Sequence, residues 1–187
     1  MNKKVFTNDI WEKMSIDEDV VIHFGYYRRY RLNDGTVNPD FRSDKISGLI
    51  LDVKEKKEKG LNYFYNELQG EFEKDITICV VPSHEAGVSN QSGIAELARR
   101  LASDGRVDKV DYILRKETID KLATGGERDV EVQKNSLMVN PNMSITGDVI
   151  LLVDDVTTSG NSLKACKEIL LANGAKRVAM FALGKSI

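Results

Sequence analysis

Residues 149–163 read VILLVDDVTTSGNSL, and they are the most informative segment of the sequence. Its apolar start, Val149 to Val153, is typical of a strand that is buried on both faces of a parallel sheet. Asp154 and Asp155 come next, and because burying two carboxylates would be costly, we expect them to emerge at the carboxyl edge of that strand. Open α/β sheets bind their ligands at this edge. The stretch therefore predicts a parallel α/β sheet with a binding site at its acid pair.

A loop of small, mostly hydroxyl-bearing residues around one glycine comes after the acids and leads into a helix. The first backbone N–H groups of a helix lack partners within it, so such a loop can hold a phosphate between free N–H groups and hydroxyls. The acid pair beside it can accept hydrogen bonds from sugar hydroxyls or support Mg²⁺, which prefers oxygen ligands. An ordinary strand–turn–helix with Asp155 or Thr157 as a helix cap is the alternative. The candidate phosphate-binding residues are Thr157, Thr158, Ser159, Gly160, Asn161 and Ser162.

Strands and helices alternate along the second half of the chain. Apolar runs at 76–81, 110–114 and 178–183 predict three further strands, and the spacing of apolar residues at 92–103 predicts a helix. These elements predict a Rossmann-like α/β core with a mostly parallel sheet of four or five strands flanked by helices. Residues 117–136 are polar and aperiodic, which predicts a long loop with a functional role.

The first part of the chain has a different character. A strand is predicted at 20–24, and the run YYRRYR at 26–31 fits either an edge strand or a surface that stacks on bases. Residues 46–53 are amphipathic without a clear type. Residues 54–60 alternate in charge, which predicts a solvent-exposed connection before a helix over 61–72.

The composition is that of a globular protein with a real core. The chain has 187 residues, of which 41% are hydrophobic and 30% charged, and this predicts one compact domain. Within it we expect residues 1–75 to form a small N-terminal hood on a core of residues 76–187. The net charge of −2 argues against a generally cationic nucleic-acid binder. The two cysteines lack zinc-ligand spacing, and no apolar run reaches the length of a membrane helix, so we expect a cytoplasmic protein.

The stretch at 149–163 resembles the signature of the type I phosphoribosyltransferases: a hydrophobic strand, two acidic residues, then a Thr/Ser-rich glycine loop. In that family the signature binds 5-phosphoribosyl-1-pyrophosphate (PRPP). The resemblance implies that Asp154 and Asp155 bind the ribose hydroxyls and support Mg²⁺, directly or through water. It also implies that the loop at 157–162 binds the 5′-phosphate.

The resemblance extends upstream in the order that the family shows. Residues 80–87 lie where the pyrophosphate-binding loop is expected, and Ser89-Asn90-Gln91 is similar to the ComF-type branch. Residues 118–135 resemble the flexible catalytic loop. The implied pyrophosphate-binding residues are Ser83, His84, Arg115 and Lys116, and the implied catalytic residues are Asp154, Asp155, Lys121 and Arg128.

The function that the resemblance implies is Mg²⁺-dependent transfer of phosphoribosyl from PRPP to a nitrogen acceptor, nucleobase-like, with release of pyrophosphate. Glu85 places an acid in the expected pyrophosphate loop, and the four-cysteine zinc module common in ComF-type proteins is absent. The alternative is therefore a non-catalytic PRPP- or nucleotide-binding regulatory or accessory protein, including a ComF-like role in nucleic-acid handling. The implied partners are PRPP and a small-molecule acceptor, and a homodimer is compatible with both functions.

Overall fold

A computed structural model describes residues 19–32, 34–87, 89–118 and 130–187. The strands in these ranges are β1 (Val21–Tyr27), β2 (Thr77–Val80), β3 (Val107–Asp108), β4 (Ile113–Arg115), β5 (Leu137–Val139), β6 (Val149–Thr157) and β7 (Arg177–Ser186). The helices are α1 (Pro39–Ser43), α2 (Lys45–Lys54), α3 (Glu58–Leu68), α4 (Gly93–Ala102), α5 (Val130–Asn135) and α6 (Asn161–Ala172).

A five-stranded sheet in the order β1–β7–β6–β2–β3 forms the centre of the molecule. All of its neighbouring strands run parallel. The prediction of a mostly parallel sheet of four or five strands flanked by helices is thus confirmed. The central strand β6 begins with the apolar run of the sequence, and Ile150, Leu151 and Leu152 are fully buried.

Two hydrophobic layers cover the two faces of the sheet. Alternate side chains of β6 point to opposite faces, so Leu151 and Val153 pack with the buried residues of α2, α3 and α4, whereas Ile150 and Leu152 pack with those of α6. The predicted helix at 92–103 is α4, and the Ser92 hydroxyl caps it by accepting from the N–H of Ala95 at 3.3 Å.

The prediction of a main-sheet strand at 110–114 is wrong. The strand beside β2 at one edge of the main sheet is β3, which lies earlier, and β4 pairs antiparallel with β5 in a separate two-stranded sheet. The chain turns between β3 and β4 because the Asp108 carboxylate accepts from the N–H of Val110 at 3.0 Å and the Lys109 carbonyl accepts from Tyr112 at 3.0 Å. The apolar residues of this segment are buried, but against the layers of the fold and not as a strand of the main sheet.

The N-terminal part of the chain joins the same sheet. β1 pairs in parallel with β7, and the amphipathic stretch of undetermined type is the helix α2. The run at 26–31 supplies the last two residues of β1, an edge strand, and then leaves the sheet. Within the described residues, none of the helices is both long and apolar enough to span a membrane.

Candidate functional site

The acid pair lies where the two neighbours of β6 part from each other. On one side of β6, β2 pairs with it only up to the register pair Val80–Val153. On the other side, β7 continues alongside β6 to Thr157. Asp154 and Asp155 therefore lie on a strand that has lost its β2 neighbour. Because all these strands are parallel, this opening is at the carboxyl edge of the sheet, where ligands bind in such folds. The predicted strand ended at Val153, and the structure extends it through both acids.

The two carboxylates differ in their surroundings. Burial and, to a lesser extent, the charge of Asp155 raise the pKa of Asp154 to about 8, against the opposing effects of Lys54 and the backbone N–H of Asp155. That N–H donates to Asp154 Oδ1 at 2.8 Å. Asp155 Oδ1 instead accepts from Lys54 Nζ at 2.7 Å. One acid is thus held by the backbone and the other by a lysine.

Lys54 is a site residue that the sequence pattern does not reveal. The alternating charges predict that it lies in a solvent-exposed connection, but α2 extends to it and directs it to the acid pair. Burial, the largest single effect, would lower the pKa of Lys54. The charge of Asp155 and its hydrogen bond to Lys54, with smaller effects of Asp154 and Tyr27, together outweigh it, and the pKa is raised. Its ammonium also lies 5.8 Å from the centre of the Tyr27 ring. No local pattern could have found this contact, because its partners are 101 positions apart.

The phosphate-loop candidates surround the N-terminus of α6. Gly160 precedes the helix with φ +84°, a left-handed conformation that glycine adopts without strain. A Cβ there would lie 3.4 Å from Val21 Cγ2. Thr157 is buried, Thr158 and Ser159 are exposed, and the helix after them has its first N–H groups facing this loop. The structure therefore brings the predicted loop residues together beside the acid pair.

The four pyrophosphate-loop candidates have contrasting environments. Arg115 is buried and donates to the Ser83 carbonyl at 3.0 Å, to the Ser136 hydroxyl and to Gln133 Oε1 at 3.5 Å. These bonds tie the loop after β2 to β4. His84 Nε2 lies 3.6 Å from Glu85 Oε1, and Lys116 is exposed. Lys121 and Arg128 lie outside the described residues.

The carboxylate oxygens of the acid pair are of the type that Mg²⁺ prefers. In proteins Mg²⁺ keeps several waters and usually takes one or two carboxylates together with substrate phosphates. Across the described ranges, no group of three or more His, Cys, Asp or Glu side chains gathers as a metal site. Asp154 and Asp155 are carboxylates of the kind that such a coordination uses.

Comparison with known proteins finds one matching family model. Residues 94–184 match the family model of the phosphoribosyl transferase domain, and this range includes the acid pair and the glycine loop. Among curated proteins, no relative matches significantly.

Several solved structures are distantly similar. Hypoxanthine phosphoribosyltransferase from Staphylococcus aureus has 14% identity and a TM-score of 0.43, with 74% of each chain covered. Hypoxanthine-guanine phosphoribosyltransferase from Bacillus anthracis has 17% identity and a TM-score of 0.41, covering 73% of this chain and 70% of that chain. The L. donovani enzyme has 18% identity and a TM-score of 0.38, covering 73% and 71%.

Proposed function

We propose, on the premise that residues 94–184 belong to the phosphoribosyl transferase domain family, that this protein transfers phosphoribosyl from PRPP to a nitrogen acceptor and releases pyrophosphate. One observation carries the proposal: the acid pair on β6 is followed, after a short hydroxyl-bearing stretch, by a left-handed glycine at the N-terminus of α6. An acceptor for hydroxyls beside an anion site suits a sugar phosphate.

The chain's own residues would act mainly by positioning. Asp154 and Asp155 accept the ribose hydroxyls, and the loop from Thr157 to Ser162 holds the 5′-phosphate. With both ends of the ribose fixed, its C1 is presented to the acceptor nitrogen, so that the C1–N bond forms as the bond to pyrophosphate oxygen breaks. The bonding electrons leave with pyrophosphate, and the acceptor releases its N–H proton to water.

Charge develops in both directions during this displacement. Positive charge grows on the ribose ring, beside the acid pair, and negative charge grows on the departing pyrophosphate. Mg²⁺ held by Asp154 and Asp155 would supply positive charge to the pyrophosphate. Lys121 and Arg128 are proposed to contribute to the same stabilisation, and residues 1–75 to form the acceptor side of the site, with a nucleobase-like acceptor.

A second candidate function rests on the loop after β2. The buried Arg115 guanidinium is engaged with Ser83, Ser136 and Gln133, and Glu85 adds a negative charge beside His84. This environment is less favourable to pyrophosphate than the loop after β6 is to a monophosphate. A protein that binds PRPP or a nucleotide without turnover, as a regulator or accessory protein, fits these contacts.

Two measurements separate the candidates. Calorimetry with PRPP and Mg²⁺ tests for the site, and release of pyrophosphate in the presence of a panel of nucleobases tests for transfer. We expect Mg²⁺-dependent binding and pyrophosphate release with at least one base. Binding without release from any base would favour the regulatory function, and the absence of PRPP binding would contradict both.

A further inference from the structure

We propose that Lys54 is a positioning residue of the sugar site, which holds Asp155 so that its second carboxylate oxygen is presented to a ligand hydroxyl. This inference rests on the proposed function, because it concerns how the same acid pair receives a ribose. It gives the N-terminal part of the chain a direct role in the site. The match to the family model begins at residue 94 and does not cover this part.

The two acids are each held by one oxygen. Asp154 Oδ1 accepts from the backbone N–H of Asp155 at 2.8 Å, and Asp155 Oδ1 accepts from Lys54 Nζ at 2.7 Å. No donor among the described residues reaches the other oxygen of either carboxylate. With one oxygen fixed by Lys54, Asp155 keeps its other oxygen available to accept from a hydroxyl of a sugar.

The contact between Lys54 and Asp155 is partly shielded from water. The side chains of Lys54 and Asp155 are 32% and 24% exposed. The Tyr27 ring, 5.8 Å from the ammonium, covers it from the β1 side, and Tyr27 is itself buried. A charge-assisted hydrogen bond in such a place restrains a carboxylate more strongly than one on the open surface.

The backbone that carries Lys54 is fixed by two close helix contacts. A Cβ at Gly93, the first residue of α4, would lie only 1.6 Å from the Val53 carbonyl oxygen. A Cβ at Gly60 of α3 would lie 2.5 Å from the carbonyl oxygen of Leu49 and 2.8 Å from the backbone nitrogen of Val53. The last turn of α2 therefore touches the backbones of two neighbouring helices. Lys54 cannot withdraw with its helix without unpacking both, so its contact with Asp155 is a built part of the site.

The test compares two ligands that differ by the sugar. Inorganic phosphate occupies only the loop at 157–162, whereas ribose 5-phosphate also engages the acid pair. The dissociation constant for phosphate divided by that for ribose 5-phosphate measures what the sugar contributes to binding. We expect Lys54→Met to reduce this ratio about tenfold, the scale of one hydrogen bond to a charged group, with the affinity for phosphate unchanged. Lys54→Arg, which keeps the charge and the donors, should recover part of the loss.

Lys57→Met is the matched control. Lys57 lies three positions away and pairs with Glu55 at 2.5 Å and Asp52 at 3.7 Å, away from the acid pair. Its removal should leave the ratio unchanged. If Lys54→Met does not fold, as judged by circular dichroism, Lys54→Gln takes its place, because it removes the charge and keeps a polar end.

The outcomes distinguish this inference from the function on which it rests. A wild-type protein that binds ribose 5-phosphate no more tightly than phosphate would overturn the sugar site and the role of Lys54 together. A wild-type sugar contribution that survives in Lys54→Met would overturn the role of Lys54 alone. A contribution that grows in Lys54→Met would also overturn it, because Lys54 would then compete with the sugar for Asp155.

Discussion

Asp154 is a single residue of the candidate site that changes how the free energy of unfolding depends on pH. Its carboxyl group is ionised in the unfolded chain above its ordinary pKa of 3.8, whereas burial and Asp155 raise the pKa in the folded protein to about 8. Between these two values the folded protein retains a proton that the unfolded chain has released. The free energy of unfolding therefore falls as the pH rises through this range, by at most about 1.4 kcal/mol per pH unit for one group.

The first prediction follows from this fall in the free energy of unfolding as the pH rises. In ligand-free protein with a chelator present, Asp154→Asn should unfold at a higher temperature than the wild type at pH 8, because the amide has no charge to bury. The advantage should shrink as the pH is lowered toward 4, where the wild-type carboxyl is protonated in the folded protein and partly so in the unfolded chain. Thermal unfolding followed by circular dichroism from pH 4 to pH 9 checks this. A variant that is less stable than the wild type at every pH would contradict the raised pKa.

Gly160 provides the second prediction, for which the chain offers a matched control. Gly160 and Gly147 have nearly equal left-handed angles, φ +84° and +82°, but Gly147 precedes β6 and nothing lies within 4 Å of its Cβ position. Gly160→Ala and Gly147→Ala should each lose about 1 kcal/mol of stability from backbone strain. Only Gly160→Ala should also lose affinity for inorganic phosphate, measured by calorimetry. Equal phosphate affinity in both variants would place the anion site elsewhere.

At the scale of elements, α2 is where the sequence was least informative. Its apolar face could not be assigned to a helix or a strand, and the charges after it suggested an exposed connection. The features that decide its position are distant glycines, since Gly60 and Gly93 permit contacts that only the packed structure reveals. By contrast, α4 and β6 could be predicted from their own apolar patterns and from local signals such as Ser92.

The third prediction concerns this helix packing. Gly93→Ala places a methyl group against the Val53 carbonyl, so α4 must shift, and we expect a loss of about 1–3 kcal/mol of stability, as for other overpacked cores. Gly48→Ala is the control, because Gly48 lies within α2 with open space at its Cβ position and alanine favours helices. Chemical denaturation measures both. An unchanged free energy of unfolding in Gly93→Ala would contradict the close contact.

The wrong prediction of a main-sheet strand at 110–114 has the same cause as the undetermined type of α2: contacts outside the segment decide the structure. Residues 110–114 are apolar enough for a strand, and most of them are buried. Their direction is set by the turn at Asp108 and by pairing with β5, a short strand just beyond the segment predicted as a loop. Burial alone therefore predicts which residues are inside, but not which strand they pair with.

For the whole molecule, the sequence was sufficient for the mostly parallel sheet and for one half of the candidate site. The parallel direction of the strands and the position of the acid pair could be predicted from the stretch at 149–163. A buried strand that ends in two acids and a glycine loop is typical of the carboxyl edge of a parallel sheet. The other half could not be predicted, since Lys54 and Tyr27 reach Asp155 only after β1 and α2 have packed on the sheet. Long-range contacts of this kind leave no periodic signal in the sequence.

The affinity for PRPP, measured by calorimetry with Mg²⁺ in the wild type and in Asp154→Asn/Asp155→Asn, shows whether the two acids bind the ribose. At pH 9, where Asp154 with its pKa of about 8 is ionised, each acid is expected to contribute about 1.5–3 kcal/mol through a charged hydrogen bond to a ribose hydroxyl. We therefore predict that the double variant, folded and with its affinity for inorganic phosphate intact, binds PRPP at least about 100-fold more weakly. An unchanged PRPP affinity in the folded double variant would contradict the assignment of these two acids to a sugar.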